Sequence, residues 1–185
     1  FLPEEISSKD IMQGDFDYIF FTGSTQAGRQ IAKTAGERLI PYTLELGGKS
    51  PVIIDDTADL KVSARRIVKG KFMNAGQTCI APDYLFAHAS IREKLILEMI
   101  NAIQEFYGTY TPESTDYGRI IDIEAFNRLS KLIKSSKDKI IYGGHSDECT
   151  LYIEPTLIVE DSVNSDIMQE EIFGPLLPVL EWTDI

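Results

Sequence analysis

Short apolar runs alternate with longer amphipathic segments along this chain, and the first pair is the clearest. Residues 17–21 form a short apolar run, as expected for a parallel strand that is covered on both faces. Residues 26–39 follow a glycine turn and carry apolar side chains at three- and four-residue spacing, which predicts a helix with one buried face. Similar alternation further along the chain predicts an α/β fold of three layers, in which helices flank a mostly parallel sheet.

The turn between these two segments contains two glycines, Gly23 and Gly28. A strand, a glycine turn and a helix in this order point free backbone N–H groups and the positive end of the helix toward an anion. The pyrophosphate of a dinucleotide suits such a site. The spacing of the glycines differs from the common G-x-G-x-x-G pattern, so a plain strand-to-helix turn stays open as an alternative at this point.

The segment 74–82 presents Cys79 on a predicted turn, after a helix that Asp59 caps and before a strand at 84–87. A cysteine thiolate is a nucleophile, and it needs a site that positions it and stabilises charge. Gly76 permits a close approach of the backbone, and the small neighbouring side chains leave room for a substrate carbonyl. The alternative is that Cys79 is a small buried apolar residue, as most cysteines are.

An acid interrupts the predicted strand 42–46 just before the pair Gly47–Gly48. Burying a carboxylate is unfavourable without a partner or a task, so beside a thiol nucleophile Glu45 suits a general base that activates water. Taken alone, Glu45 would be a surface charge at the end of a strand. The other acidic pair, Glu170–Glu171, is a poor acid–base couple, because neighbouring side chains on a helix point apart.

The charge balance limits the partners that this chain can bind. Its 185 residues include 18 basic and 29 acidic side chains, for a net charge of −11, which repels phosphate backbones and anionic membranes. We therefore expect no nucleic-acid partner. No apolar run approaches the roughly 18 to 20 residues of a membrane span, and no leader pattern begins the chain, so we predict a soluble, cytoplasmic protein.

Metal and disulfide chemistry have little support in the sequence. The two histidines, His88 and His145, lack companions at ligand spacing, so we predict no metal site. Cys79 and Cys149 could form a disulfide in principle. A reducing compartment and the use of Cys79 as a nucleophile both argue against that bond.

Two helix starts and one strand break are also predicted. Ser90 and Glu93 have the spacing of a capping box for a helix that runs to Tyr107. Asp122 is the expected cap of the next helix. Pro155 lies inside an apolar run at 152–159, which makes part of that run an edge or a bulge.

Four segments together resemble the aldehyde dehydrogenase superfamily. They are the turn at 21–28, the strand and glycine pair at 43–51, the cysteine segment at 74–84 and the acidic segment at 170–175. The order of the four segments and the glutamate-to-cysteine spacing match the family over nearly the whole chain. The cysteine segment looks most like the class 3 branch, which acts on fatty and aromatic aldehydes. Class 3 enzymes often carry Asn where this chain has Ser24.

The resemblance implies oxidation of a small-molecule aldehyde to a carboxylic acid, with NAD or NADP as cofactor. Cys79 would be the nucleophile that carries the thioester, and Glu45 would be the general base. Glu171 would hold the nicotinamide ribose, and Phe173 would pack beside the nicotinamide. The cofactor-binding residues implied in this way are Gly23, Ser24, Gly28, Leu46, Glu171 and Phe173.

The resemblance also divides the chain. Residues 1–47 would be the tail of the NAD(P)-binding domain, and residues 48–185 would be most of the catalytic domain of a homo-oligomeric parent. The chain lacks an initiator methionine, and a second oxyanion donor of the family precedes residue 1, so we expect a fragment with little activity of its own. Two other readings remain, a thiol-dependent esterase or acyltransferase and a non-catalytic, oligomer-building domain.

Overall fold

The computed structural model describes residues 14–183, and it divides into an N-terminal unit that ends at Gly47 and a C-terminal unit that begins at Gly48. The start of the chain, Phe1–Glu5, lies outside the described residues.

The N-terminal unit contains a strand, a helix and a second strand. β1 (Ile19–Thr22) leads into α1 (Thr25–Glu37), which is followed by β2 (Tyr42–Glu45). The two strands pair in parallel, so the helix is the crossover that a parallel pair requires. The Ser24 side chain caps the helix and accepts a hydrogen bond from Ala27 N at 3.2 Å.

Two details of this unit differ from the predictions. β1 is not covered on both faces, because its burial alternates and Phe20 is 66% exposed. The helix stops two residues short of Leu39, which adopts a left-handed conformation with φ of 58° and is 90% exposed. Ile40 is buried instead, and its N–H is bonded to Ala35 O at 2.9 Å, which closes the end of the helix.

The C-terminal unit is built on a five-stranded sheet in the order β3-β4-β9-β8-β5, accompanied by the hairpin β6–β7. All pairs in the main sheet are parallel except β5 with β8. The strands are β3 (Pro51–Ile54), β4 (Tyr84–His88), β5 (Ile140–Tyr142), β6 (Ser146–Asp147), β7 (Tyr152–Ile153), β8 (Thr156–Val159) and β9 (Leu176–Trp182). The central strand β9 is buried from Leu176 to Leu180, as expected for a parallel strand covered on both faces.

Four helices accompany this sheet: α2 (Leu60–Phe72), α3 (Arg92–Tyr107), α4 (Ile123–Ser135) and the short α5 (Asp166–Gln169). Helices α2 and α3 pack against each other. Fully buried members of the core are Phe72, Leu85, Leu95, Met99, Leu129, Leu157 and Leu177. No helix within residues 14–183 has the length and apolar character needed to cross a membrane.

Two predicted caps are confirmed and one is wrong. Asp59 accepts from Val62 N at 3.0 Å, and Asp122 accepts from Ala125 N at 2.8 Å. The capping box at the start of α3 does not form, because the hydroxyl of Ser90 bonds to Nδ1 of His88 at 2.8 Å instead.

Pro155 divides the apolar run 152–159 between two sheets. The residues before it form β7, which pairs with β6, and the residues after it form β8 of the main sheet. Proline has no N–H to donate to a strand ladder. The predicted irregularity is therefore a change of sheet.

Candidate active site

Cys79 lies on a loop whose backbone is unusual. After α2 ends, Asn74, Ala75 and Gly76 have φ values of 54°, 52° and 75°. Non-glycine residues in the left-handed region are strained, and such residues concentrate at functional sites. Cys79 follows this turn and its side chain is exposed. The predicted position between a helix and a strand is confirmed, and the alternative of a buried apolar cysteine is wrong.

The side chain of Gln77 braces this loop. Its Nε2 donates to Asn74 O at 3.0 Å and to Arg119 O at 2.9 Å, and its Oε1 accepts from Ile121 N at 2.9 Å. Asn74 Nδ2 donates in return to Gln77 O at 3.1 Å. One amide therefore ties the turn before Cys79 to the segment ahead of α4, so the thiol is carried on a fixed loop.

The loop that carries Glu171 and Phe173 packs directly on the cysteine loop. A Cβ added at Gly76 would lie 2.3 Å from the carbonyl oxygen of Gly174, so only glycine fits at this contact. Phe173 also has a left-handed backbone, with φ of 44°, and its side chain is partly exposed. The strained loop of Phe173 thus packs against the strained loop that carries the thiol.

Ile172 anchors this second loop between its two predicted site residues. Its side chain is fully buried, whereas Glu171 is half-buried. Arg128 from α4 donates to Ile172 O at 2.6 Å. The C-terminal unit therefore brings together the segments of three predicted site residues, Cys79, Glu171 and Phe173. Gly48 also approaches closely, because a Cβ there would lie 3.3 Å from Cys79 O.

Sequence reasoning missed three charged residues behind these loops: Lys49, Lys71 and Asp83. Asp83 is 4% exposed, and it bonds to Lys49 Nζ at 2.6 Å and Ile172 N at 3.0 Å. Lys71 is fully buried. Burial lowers the pKa of Lys71 from its ordinary 10.5 to about 8, although the nearby Asp83 carboxylate opposes this shift.

One signal for Lys71 was present in the sequence. It follows Ile67 by four residues and Val68 by three, so it falls on the predicted buried face of α2. A lysine at such a position calls for a buried acid. The sequence alone does not identify Asp83 as that acid.

The N-terminal unit brings together the other five predicted site residues. Gly23 and Ser24 follow β1 directly, and Glu45 and Leu46 stand at the same end of β2, where Thr22 pairs with Glu45. Gly23 N donates to Glu45 O at 3.0 Å. These residues therefore share the carboxyl edge of a parallel pair, where ligands bind in open α/β sheets.

Gly28 allows α1 to lie against the end of β2. A Cβ there would come within 2.6 Å of the Leu46 side chain. The first turn of α1 contains no acidic residue, so no carboxylate competes with an anion for the N–H groups at the helix start. The side chain of Glu45 is exposed. The residues of this unit therefore fit a dinucleotide phosphate at the glycine turn.

Metal chemistry has no visible basis in the described part of the chain. Residues 14–183 contain no group of three or more histidine, cysteine or acidic side chains that could hold a metal ion. Cys79 and Cys149 are both free and exposed.

Comparison with known proteins identifies the wider group. The sequence profile of the aldehyde dehydrogenase family matches residues 4–185. A 4,4'-diaponeurosporen-aldehyde dehydrogenase of Staphylococcus aureus is 51% identical over 170 residues, which cover 92% of this chain and 37% of that protein. Mouse aldehyde dehydrogenase family 3 member A2 is 46% identical over 179 residues, covering 97% of this chain and 36% of that protein. The chain thus spans somewhat more than a third of these relatives.

Solved structures give the same result for the fold. A substrate-bound state of AldH from Staphylococcus aureus matches with a TM-score of 0.93 at 48% identity, covering 96% of this chain and 39% of that one. A Mycobacterium tuberculosis aldehyde dehydrogenase complexed with NAD+ matches with a TM-score of 0.85 at 29% identity, covering 95% and 38%. The predicted α/β class is confirmed, and so is the resemblance to the class 3 branch.

Proposed function

The chain belongs to the aldehyde dehydrogenase family, and from this premise we propose that the protein carrying it oxidises aldehydes to carboxylic acids with NAD+ or NADP+. The observation that carries the proposal is the exposed Cys79 on a strained, braced loop that packs against the loop of Glu171 and Phe173. We also propose that residues 1–47 belong to the NAD(P)-binding domain and residues 48–185 to the catalytic domain.

Cys79 acts as the nucleophile. Its thiolate forms a bond to the aldehyde carbon, and the carbonyl electron pair moves onto oxygen, where the Cys79 backbone N–H stabilises the oxyanion. The bound cofactor supplies the chemistry of a hydride acceptor. Loss of hydride from the former aldehyde carbon leaves a thioester on Cys79.

Glu45 acts as the general base that releases the product. It takes a proton from water, the resulting hydroxide adds to the thioester carbon, and the Cys79 thiolate leaves as the carboxylic acid forms. One aldehyde and one water thus give one carboxylic acid, one hydride that leaves with the cofactor, and one proton that Glu45 takes from water and releases to solvent. The exposed position of Glu45 at the end of β2 supports access of water to its carboxylate.

The cofactor contacts in this proposal are those that the family resemblance implies. Gly23, Ser24 and Gly28 hold the pyrophosphate at the start of α1, which has no acidic residue in its first turn. The backbone at Leu46 and the side chain of Phe173 border the nicotinamide. The carboxylate of Glu171 accepts hydrogen bonds from the ribose hydroxyls. The Mycobacterium tuberculosis neighbour, which was solved with NAD+, supports this choice of cofactor.

The test is to assay the protein that carries this chain for production of reduced nicotinamide, with medium-chain and aromatic aldehydes. Cys79→Ala should abolish turnover while the protein still binds NAD(P). Cys149→Ala is the matched control, since Cys149 is also free and exposed, and it should retain full activity. Activity that survives in Cys79→Ala would contradict the proposal.

Two other experimental outcomes would point to a different function. Ester turnover that depends on Cys79 but is indifferent to NAD(P) would indicate a thiol-dependent esterase or acyltransferase. Iodoacetamide labelling of Cys79 no faster than Cys149 would indicate an incidental thiol in a non-catalytic domain. A homo-oligomeric assembly and a cytoplasmic location stay predictions from the sequence.

A further inference from the structure

A buried carboxylate stands behind the loop of Glu171. Asp83 precedes β4, and its side chain is 5% exposed. Its Oδ1 accepts from Ile172 N at 3.0 Å, and its Oδ2 accepts from Lys49 Nζ at 2.6 Å. A buried carboxylate is stable only when it is paired and hydrogen-bonded in this way.

Lys49 contacts the same loop on the other side of Glu171. Its Nζ donates to Glu170 O at 2.8 Å and to Ile167 O at 3.2 Å. Lys49 therefore holds the peptide group immediately before Glu171, and Asp83 holds the one immediately after it. Arg128 holds Ile172 O from a third element, so the backbone from Glu170 to Ile172 has charged partners at each step.

Lys71 completes the cluster from α2. Its Nζ lies 3.9 Å from Asp83 Oδ1 and has no hydrogen-bond partner among the described residues. The charged groups that it faces are Asp83, Lys49 and Glu171. A fully buried ammonium without a hydrogen bond is unfavourable. The negative charge of the Asp83 carboxylate stabilises it in part.

The loop held by this cluster would not keep its shape unaided. Phe173 has φ of 44°, a conformation that persists in a bulky residue only when its surroundings fix it. The contacts to Ile172 N and Ile172 O lie directly before this residue. Loss of Asp83 would therefore let the backbone at Phe173 relax, and it would move the carboxylate of Glu171 with it.

We propose that Asp83 is a positioning residue for the cofactor: with Lys49 it fixes both peptide groups that flank Glu171, and so sets Glu171 and Phe173 against the nicotinamide riboside. The inference rests on the proposed function, because it assumes that Glu171 and Phe173 meet NAD(P). Asp83 itself contacts neither substrate nor cofactor in this arrangement. Its loss weakens cofactor binding and leaves the thiol of Cys79 reactive.

The experiment uses the protein that carries this chain, with Asp83→Asn and the double variant Asp83→Asn with Lys71→Met. The double variant removes the buried ammonium together with its counter-charge, and it leaves Lys49, which is 23% exposed, to be solvated. Glu160→Gln is the matched control, since Glu160 is similarly buried and is paired with Lys139 at 2.6 Å, and its carboxylate accepts from the backbone at Asp161 and Ser162.

Titration with NADH and NADPH by fluorescence gives dissociation constants that do not depend on turnover. We expect the dissociation constants to rise about tenfold or more in both Asp83 variants, since a displaced Glu171 carboxylate loses its charge-assisted hydrogen bonds to the ribose hydroxyls. Alkylation of Cys79 by iodoacetamide should stay within about twofold of the unsubstituted protein, since the Gln77 brace is intact. Glu160→Gln should lower thermal stability without changing cofactor affinity.

Two results would overturn the proposal: a dissociation constant that changes less than twofold in a folded Asp83 variant, or an equal loss of affinity in Glu160→Gln. If the unsubstituted protein binds neither cofactor, the proposed function fails, and amide hydrogen exchange then judges the inference separately. Exchange at residues 170–174 should be faster in the double variant than in Glu160→Gln. Equal exchange would refute the hold of Asp83 on the loop.

Discussion

At the scale of single residues, Lys71 has unfavourable surroundings. Its ammonium is fully buried, lacks a hydrogen bond within the described structure, and lies 3.9 Å from the carboxylate of Asp83. The attraction of Asp83 does not offset the loss of hydration, because the pKa of Lys71 falls to about 8. Lys71 therefore lowers stability at neutral pH, and it lies behind the two active loops, the cysteine loop at residues 74–79 and the Glu171 loop at residues 170–174.

The lowered pKa of Lys71 makes stability depend on pH in a predictable direction. The folded state releases this proton at about pH 8, whereas the unfolded chain holds it to about 10.5, so unfolding takes up a proton between these values. The penalty is fully present below about pH 8 and is relieved as pH rises. The free energy of unfolding should therefore gain about 2 kcal/mol from this residue between about pH 7.5 and about pH 9.5.

Lys71→Met supplies the comparison, because methionine keeps the length of the side chain without the charge. The variant should be more stable than the unsubstituted protein at about pH 7.5, and the difference should shrink by about 2 kcal/mol at about pH 9.5. Urea unfolding at both pH values measures it. A constant difference between the two proteins would show that Lys71 does not titrate in this range.

At the level of elements, the contact of the two active loops depends on glycine. Gly76 has φ of 75°, and an added Cβ would meet Gly174 O at 2.3 Å and Lys71 O at 3.1 Å, so both its backbone and its surroundings exclude a side chain. Gly108 also has a positive φ, of 83°, but an added Cβ would meet nothing within 4 Å. The two positions therefore separate backbone strain from steric overlap.

Gly108→Ala should destabilise the protein by about 1–3 kcal/mol through backbone strain alone. Gly76→Ala should cost more than Gly108→Ala, and only Gly76→Ala should change the rate at which iodoacetamide alkylates Cys79. The overlap is with backbone atoms, so one of the two loops must move. Urea unfolding and alkylation kinetics check the two expectations. Equal effects of the two variants would mean that the loops separate without consequence for the thiol.

Helix ends show which parts of the fold local sequence can predict. Asp59 and Asp122 cap their helices as expected, because each side chain reaches an N–H only three residues ahead. Ser90 has the same local pattern, but a histidine ring two residues before it takes its hydroxyl. Leu39 matched the helical period and yet lies beyond the helix end, where Ile40 is buried instead.

At the scale of the whole molecule, the sequence likewise predicts some residues of the candidate site and not others. Cys79, Glu45 and the glycine turn stand in short segments that carry the family resemblance, so the sequence could indicate them. The bond from Ile172 N to Asp83 joins residues that are 89 positions apart, and no local spacing predicts it. The contact of Gly76 with Gly174 is of the same kind. The residues that orient the site could therefore be identified only from the three-dimensional structure.

The division of the chain at Gly47–Gly48 leads to the last prediction. Every residue of the buried apolar cluster lies between Ala64 and Leu180, so the C-terminal unit has a core of its own. A chain that begins at Gly48 should unfold in one cooperative transition, followed by circular dichroism in urea. A chain that begins at Asp59 is the control, because it keeps the cap of α2 and lacks Lys49 and β3.

The shorter chain should lose several kcal/mol, or its cooperative transition altogether. Removing Lys49 deprives the buried Asp83 of its 2.6 Å partner, and breaking a buried ion pair costs about 3–5 kcal/mol. Removing β3 also takes away the partly buried Val52 and Ile54 and the carbonyl that Trp182 Nε1 reaches at 3.3 Å. If the chain from Gly48 unfolds without cooperativity, the boundary does not separate two folding domains. If both chains unfold alike, Lys49 and the edge strand contribute nothing to the core that holds the active loops in place.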